Sequence, residues 1–247
     1  LKREDLQDVF SFKIRGAFNK MRNLSRNKLN KGVITSSAGN HAQGVALSAI
    51  KLKSRATILM PITTPLVKIK AVRELQAEVI LFGENYDESY LEALRLSEER
   101  DLTFIHPFDD IEVIAGQGTI AVEIISQLGE PPDCIYVAVG GGGLIAGILT
   151  YVKNIWPGTK IIGVEPEDAD AMSKSLKANK IIELENVGLF ADGVAVKKVG
   201  KLTFEITKKY VDKIITVNND EICAAIKDVF EETRSILEPA GALSIAG

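Results

Sequence analysis

The stretch Cys134-Ile135-Tyr136-Val137-Ala138-Val139-Gly140-Gly141-Gly142-Gly143-Leu144 passes from an apolar run through four glycines into a segment with helical apolar spacing. An apolar run of this length that is bounded by glycine predicts a buried strand, and the segment after it predicts a helix. Each glycine loses more backbone freedom on folding than any other residue, so four in succession need a physical reason. We infer that the reason is the close approach of a phosphate to bare backbone.

Similar runs recur along the chain and alternate with longer helical patterns. Apolar and β-branched runs predict strands over residues 32–36, 56–60, 78–82, 103–105, 133–139, 160–165 and 213–217. Apolar spacing of three and four predicts helices between them, for example over residues 86–100, 111–128 and 220–235. This alternation predicts an α/β protein of doubly wound domains with mostly parallel sheets.

The glycine-rich stretch also permits a second interpretation. Gly141, Gly143 and Ala146 fit the G-x-G-x-x-A form of the dinucleotide-binding fingerprint, and Glu165 follows Gly141 by 24 positions. A nicotinamide-dependent oxidoreductase therefore stays open as an alternative on these residues. An oxidoreductase would leave two other motifs of the chain, described next, without a role. A further glycine pattern over residues 116–119 carries little weight, because it lies inside a predicted helix.

Lys13 lies in the first of those motifs, Ser11-Phe12-Lys13-Ile14-Arg15-Gly16. A lysine with the reference pKa of about 10.4 is protonated at neutral pH and cannot attack a carbonyl. Apolar neighbours such as Phe12 and Ile14 remove that obstacle by desolvation, so Lys13 is a candidate for covalent catalysis through a Schiff base. Considered alone, the stretch is more typical of a lysine whose stem covers apolar surface while its amine reaches water.

The second motif is Ser36-Ser37-Ala38-Gly39-Asn40-His41-Ala42-Gln43-Gly44, between a predicted strand and the helical pattern of residues 42–52. A turn of small polar residues at this place directs backbone N–H groups at an anion, here a carboxylate. Helix capping by serine and asparagine is the alternative explanation.

Composition excludes several classes of function. The 247 residues are 46% hydrophobic and carry a formal net charge of −3, so a large core is expected and neither nucleic acid nor membrane is indicated as a partner. Cys134 and Cys223 are expected to be buried thiols without a disulfide, and His41 and His106 are too few and too far apart for a zinc site. No apolar run reaches the roughly 20 residues that span a bilayer.

Five motifs in order resemble one family, the fold-type II pyridoxal-phosphate enzymes, and within it the threonine dehydratases of isoleucine biosynthesis. They are SFKIRGA from Ser11, SSAGNHAQG from Ser36, GGGGL from Gly140, GLFADGVAV from Gly188 and ILEPAGAL from Ile236. The last two, with the segment of residues 220–224, are more similar to the biosynthetic branch than to the degradative one. The resemblance covers essentially the whole chain.

The resemblance implies a lyase that uses pyridoxal 5'-phosphate to deaminate L-threonine, and L-serine more slowly, to 2-oxobutanoate or pyruvate and ammonia. Lys13 is then the catalytic residue, which holds the cofactor covalently and afterwards acts as the base at the substrate Cα. The matching positions are expected to bind the cofactor (Phe12, Lys13, Asn40, Gly140, Gly141, Gly142, Gly143 and Leu144) and the substrate carboxylate (Ser37, Ala38, Gly39 and His41).

Two positions narrow the reaction that the resemblance implies. Related serine racemases have, at the position of Ala38, a serine that handles the proton on the face opposite the lysine, so elimination is expected here rather than racemisation. The racemases also bind a divalent cation near Glu165, but one matching position is Ala171, and no metal is expected. β-Replacement on the same fold and an inactive interaction domain stay open as other functions.

The resemblance also implies an organisation for the protein. Residues 32–107 form a smaller domain inserted into a larger cofactor-binding domain of residues 1–31 and 108–247, with the ligand between them. A homo-oligomer, a dimer or a tetramer, is expected inside the cell, in the cytoplasm of a bacterium or in a plastid or mitochondrion of a eukaryote. Because the chain begins at Leu1 and ends within a helical pattern, we expect a catalytic fragment, incomplete at both ends, with low activity and no response to isoleucine.

Overall fold

The computed structural model describes residues 1–247, which form two compact units, Leu1–Pro107 and Phe108–Gly247. We call them the first unit and the second unit. Each unit contains one sheet whose strands are all parallel, as the alternation of strand and helix patterns predicts. The membership of residues 1–31 in the larger domain stays a prediction.

The sheet of the first unit has four strands: β1 (Val33–Ser36), β2 (Ala56–Met60), β3 (Glu78–Leu81) and β4 (Thr103–Phe104). They lie in the order β3-β2-β1-β4, so the chain proceeds outward from β1 and then returns to place β4 on its other side. Every residue of β1 and β2 is buried, as in parallel strands with both faces covered. The helices are α1 (Lys13–Arg22), α2 (Arg26–Lys31), α3 (Asn40–Leu52), α4 (Leu66–Glu74) and α5 (Tyr86–Glu99), with a short 3-10 helix at Glu4–Leu6.

The core of the first unit joins α1 and α3 to the sheet. Small and apolar side chains from the three elements form one buried cluster, which includes Ala17, Met21, Ala42, Val45, Ala46, Val33 and Ile58. Because a packed interior resists displacement of its members, this cluster fixes where the beginning of each helix lies.

The sheet of the second unit has three strands, β5 (Cys134–Ala138), β6 (Lys160–Pro166) and β7 (Lys213–Val217), in the order β5-β6-β7. Its helices are α6 (Ile111–Leu128), α7 (Gly143–Ile155), α8 (Ala171–Ala178), α9 (Lys201–Tyr210), α10 (Asn219–Thr233) and α11 (Pro239–Ala246), with a 3-10 helix at Asp192–Val194.

Helices α6 and α7 cross at a pair of glycines. A Cβ on Gly147 would lie 2.5 Å from the Ile114 carbonyl oxygen, and one on Gly118 would lie 3.1 Å from the Gly147 oxygen. The glycine pattern of residues 116–119 therefore allows two helices to approach closely. By length and composition alone, α6 is long and apolar enough to cross a membrane, and its buried face here includes Val113, Ile120 and Ala121.

All seven predicted strands are present. Residues 56–60 and 213–217 coincide with β2 and β7, β5 is one residue shorter than predicted at each end, and the other strands differ from prediction by one residue at one end. The expectation of two buried thiols was wrong: Cys134 in β5 is half-buried, and Cys223 is exposed on the outer face of α10 beside the buried Ile222. A helical pattern predicts that one face is buried, but neighbouring positions turn by about 100° and point elsewhere.

Candidate active site

The loop of residues 37–39 connects β1 to α3. Helix α3 begins at Asn40, and its N-cap Gly39 contributes no side-chain cap. The Ser37 hydroxyl accepts a hydrogen bond from the Gly39 N–H at 3.2 Å, and the Ser37 N–H donates to the Leu59 carbonyl at 3.1 Å. No side chain of the N-cap residue caps the beginning of α3, and the positive end of a helix attracts an anion. The geometry suits a carboxylate, and the assignment of these residues to substrate binding stays a prediction.

This loop lies where the strand order of the first unit reverses. β2 lies on one side of β1 and β4 on the other, and the carboxyl ends of β1 and β4 are adjacent. In open α/β sheets, ligands bind outside the carboxyl ends of the strands at such a point. The Thr35 hydroxyl donates to the Ile105 carbonyl at 2.8 Å and thereby ties the two strand ends together.

Lys13 lies at the same end of this sheet. It is the first residue of α1, and its amine donates to the carbonyl oxygen of Pro107, beyond β4, at 3.4 Å. The amine is also 5.3 Å from the centroid of the Phe12 ring. The sequence predicts that Lys13 and the Ser36 motif belong to one site, although no local pattern shows that they are in contact. In the structure the two are adjacent within the first unit.

Gly44 makes that juxtaposition possible. A Cβ at this position would lie 3.0 Å from the Lys13 carbonyl carbon and 3.0 Å from the Ile14 nitrogen. A hydrogen atom fits between α3 and the beginning of α1 without displacing either helix, so Gly44 sets how closely Lys13 approaches the loop. We did not predict this role, although a glycine inside an apolar helical pattern was the available signal.

His41 is held as a neutral side chain. It is 3% exposed, and its Nε2 lies 3.0 Å from the Ile105 carbonyl. A carbonyl only accepts, so Nε2 carries the proton and Nδ1 does not; Nδ1 has no partner. Burial, followed by the nearby charge of Lys13, lowers the pKa of His41 to about 3. The imidazole therefore holds the segment that follows β4, through the Ile105 carbonyl.

The four-glycine loop of the second unit lies at the carboxyl end of β5 and begins α7. The N-cap of α7 is Gly142, which has φ +92° and no side-chain cap. A Cβ on Gly141 would lie 2.3 Å from the Phe108 ring, and one on Gly140 would lie 2.9 Å from Val194 Cα. Glycine is thus required here by protein packing, in addition to the predicted approach of a phosphate.

These residues fit a phosphate group. The loop offers only backbone, and the first N–H groups of the 13-residue helix α7 have no side chain to cap them. Val194, which lies behind Gly140, belongs to the GLFADGVAV motif. That motif therefore has a local function as a support for the loop, which its sequence did not reveal.

Glu165 argues against the dinucleotide alternative. It is fully buried, and its two oxygens accept the N–H groups of Met172 and Ser173 at 2.8 Å each. Burial raises the pKa of Glu165 to about 8, against the opposing effect of these two bonds. Because the carboxylate is fully buried and its two oxygens hold the beginning of α8, it is not placed to accept a ribose hydroxyl. No group of three or more histidine, cysteine, aspartate or glutamate side chains is close enough to hold a metal ion.

Comparison with known proteins identifies the family. A family model described as pyridoxal-phosphate dependent enzyme matches residues 1–247. The chain belongs to this family. Pyridoxal phosphate is the cofactor of this family. A glycine loop that suits its phosphate and a lysine that suits its aldehyde are therefore expected in a member.

Individual members of the pyridoxal-phosphate dependent family are closely similar to the chain. It is 58% identical to the biosynthetic L-threonine dehydratase of Burkholderia multivorans, with 100% of this chain and 49% of the relative covered. It is 59% identical to the chloroplastic biosynthetic threonine dehydratase of Arabidopsis thaliana, with 100% and 42% covered. The processed form of threonine deaminase isoform 2 from Solanum lycopersicum superposes with a TM-score of 0.97 at 56% identity, covering 99% of this chain and 71% of that one. The chain spans about half the length of the curated relatives that it matches.

Proposed function

We propose that the protein deaminates L-threonine, and L-serine more slowly, to 2-oxobutanoate or pyruvate and ammonia, as the first step of isoleucine biosynthesis. The observation that carries the proposal is the placement of the Lys13 amine at the same sheet end as the uncapped beginning of α3. The printed names of the relatives, which are threonine dehydratases, support the choice of substrate.

The proposal assigns a role to each motif of the candidate site. The chemistry that pyridoxal phosphate supplies when bound is an electron sink for negative charge at the substrate Cα. The Lys13 amine would hold the cofactor covalently, and the same amine would act as the base that removes the substrate Cα proton. The amides at the beginning of α3 orient the substrate carboxylate, and the amides of residues 140–144 bind the cofactor phosphate. Asn40 and Phe12 are assigned to the cofactor ring.

Ala38 directs the outcome toward elimination. Racemisation needs a proton donor on the face of the substrate opposite Lys13, and a methyl group supplies none. We assign proton transfer to Lys13 alone, so that the carbanion loses its β-hydroxyl rather than gaining a proton on the second face.

We also propose a homo-oligomer inside the cell. The exposed apolar residues Ile111, Val122 and Tyr151 line a groove of about 970 Å³ in the second unit, and such a surface is suited to burial between copies. Relatives from a bacterium and from a chloroplast support an intracellular location. Light scattering of the purified protein tests the oligomeric state.

The experiment for the proposed function uses the purified product of the complete gene. Release of 2-oxobutanoate from L-threonine and of pyruvate from L-serine is measured, and borohydride reduction followed by peptide mapping locates the covalent cofactor. We expect label on Lys13 and a loss of activity by orders of magnitude in Lys13→Ala, because one amine performs both steps.

Lys28→Ala is the matched control, because Lys28 lies on the exposed helix α2 of the same unit. It should retain the activity of the unaltered protein. Label on a different lysine, or 2-oxo acid formation that survives Lys13→Ala, would contradict the assignment. Release of much D-amino acid by the unaltered protein would contradict the role of Ala38.

A further inference from the structure

Helix α9 lies directly behind the glycine loop of the second unit, and Asp109 fixes its beginning. The carboxylate of Asp109 accepts the N–H groups of Lys201 and Leu202 at 2.9 Å each and of Thr203 at 3.3 Å. The N-cap Gly200 has no side chain, and a Cβ there would lie 2.3 Å from Asp109 Oδ1. A residue 92 positions upstream of Lys201 therefore supplies the cap that the helix itself lacks.

Thr203 connects this capped helix to the glycine loop. It is completely buried, and its hydroxyl donates to the Gly141 carbonyl at 2.7 Å. The Gly200 N–H points at the same carbonyl from 3.4 Å. The beginning of α9 thus holds the Gly141 carbonyl oxygen from one side.

The hydrogen bond from Thr203 to the Gly141 carbonyl also determines where the Gly142 N–H points. The chain has no cis peptide bonds, so the N–H of Gly142 is directed away from the Gly141 carbonyl of the same peptide unit. Holding the oxygen toward α9 therefore directs the Gly142 N–H away from α9. Two adjoining glycines carry no side chain that would otherwise select this orientation.

We propose that Thr203 is a positioning residue whose hydroxyl orients the Gly141–Gly142 peptide so that the Gly142 N–H faces the bound phosphate, and that Asp109 holds Thr203 in place. The inference rests on the proposed function in one respect, namely that the glycine loop binds the phosphate of the cofactor. It adds two residues that make hydrogen bonds with backbone groups, Asp109 with the beginning of α9 and Thr203 with the glycine loop.

Thr203→Val tests the proposal, because it removes the hydroxyl and retains the shape of the side chain. Thr207→Val is the matched control: Thr207 lies one turn later on α9, is also completely buried, and has a hydroxyl without a partner. Thr203→Ser restores the hydroxyl. Each variant is made in the complete gene product, freed of cofactor, and titrated by absorbance with pyridoxal phosphate and with pyridoxal, which lacks the phosphate.

We expect Thr203→Val to weaken binding of pyridoxal phosphate about tenfold, the equivalent of about 1.4 kcal/mol. Binding of pyridoxal should change less than about twofold, because that ligand does not use the loop. Thr203→Ser should restore most of the affinity, and Thr207→Val should match the unaltered protein. If Thr203→Val fails to fold, Asp109→Asn replaces it, with a smaller loss that is again confined to the phosphate-bearing ligand.

The outcomes distinguish the proposal that the glycine loop binds phosphate from the proposal that Thr203 orients this loop. If the unaltered protein binds pyridoxal as tightly as pyridoxal phosphate, the loop is not a phosphate site and both proposals are overturned. If the unaltered protein prefers pyridoxal phosphate but Thr203→Val weakens both ligands equally, or neither, the positioning role is overturned while the phosphate site stands. A loss in Thr207→Val equal to that in Thr203→Val also overturns the positioning role.

Discussion

Gly44→Ala is expected to move the catalytic lysine. The added Cβ would lie 3.0 Å from two backbone atoms of residues 13 and 14, whereas ordinary contact begins at 3.4 Å. Because the neighbours are backbone rather than flexible side-chain ends, α1 and α3 must separate by about 0.4 Å to accommodate the methyl group. Lys13 is the first residue of α1 and moves with it.

The expected size of the effect follows from two opposing terms. Replacing glycine by alanine inside a helix favours folding by about 1 kcal/mol, and overpacking at a close helix contact costs about 1–3 kcal/mol. We therefore expect a net loss of stability of about 0–2 kcal/mol. Activity should decrease more, by about fivefold to tenfold, because a misplacement of about 1 Å costs about a hundredfold in a catalytic geometry.

The assay compares kcat/KM for threonine, retention of cofactor and urea midpoints in the complete gene product. Gly241→Ala is the control, because Gly241 lies in helix α11 and a Cβ there meets nothing closer than 3.7 Å. This control should gain about 1 kcal/mol of stability and keep its activity. Equal kcat/KM in the two variants would refute the reasoning that Gly44 sets the position of Lys13.

Two further predictions concern the loop of the first unit. Ala38→Ser should introduce a small amount of racemisation, measured by chiral chromatography of recovered substrate; D-amino acid at the level of the unaltered protein would contradict the assigned role of this position. His41 has a pKa of about 3 in the folded protein, below its ordinary value of 6.5. As the pH falls, the unfolded chain therefore takes up the proton before the folded protein does. The free energy of unfolding that is present above about pH 6.5 then decreases by up to about 1.4 kcal/mol per pH unit toward pH 3. His41→Gln retains an N–H for Ile105 and should flatten the dependence of the urea midpoint on pH between about 4 and 6, whereas an unchanged slope would show that another group titrates.

Much of the fold was predictable because its signals are local. The strand β2, which is buried on both faces, appears as a continuous apolar run and was predicted without error. The bounds of β7 were also predicted without error, from its β-branched run, although this edge strand is only partly buried. The position of Cys223 was not predictable, since its pattern does not distinguish a residue on the buried face of α10 from its neighbour on the outer face.

The sequence by itself determined the α/β class, the order of the elements and the types of residue at the candidate site: a lysine with apolar flanks, a small polar turn and four glycines before a helix. Each of these depends on residues adjacent in the chain. Only the tertiary structure decided that Gly44 lies against Lys13, that Asp109 caps a helix 92 residues away and that Thr203 holds the Gly141 carbonyl. The physical reason is that such contacts depend on how closely and at what angle helices pack, and packing is settled by the whole set of buried side chains rather than by any local stretch.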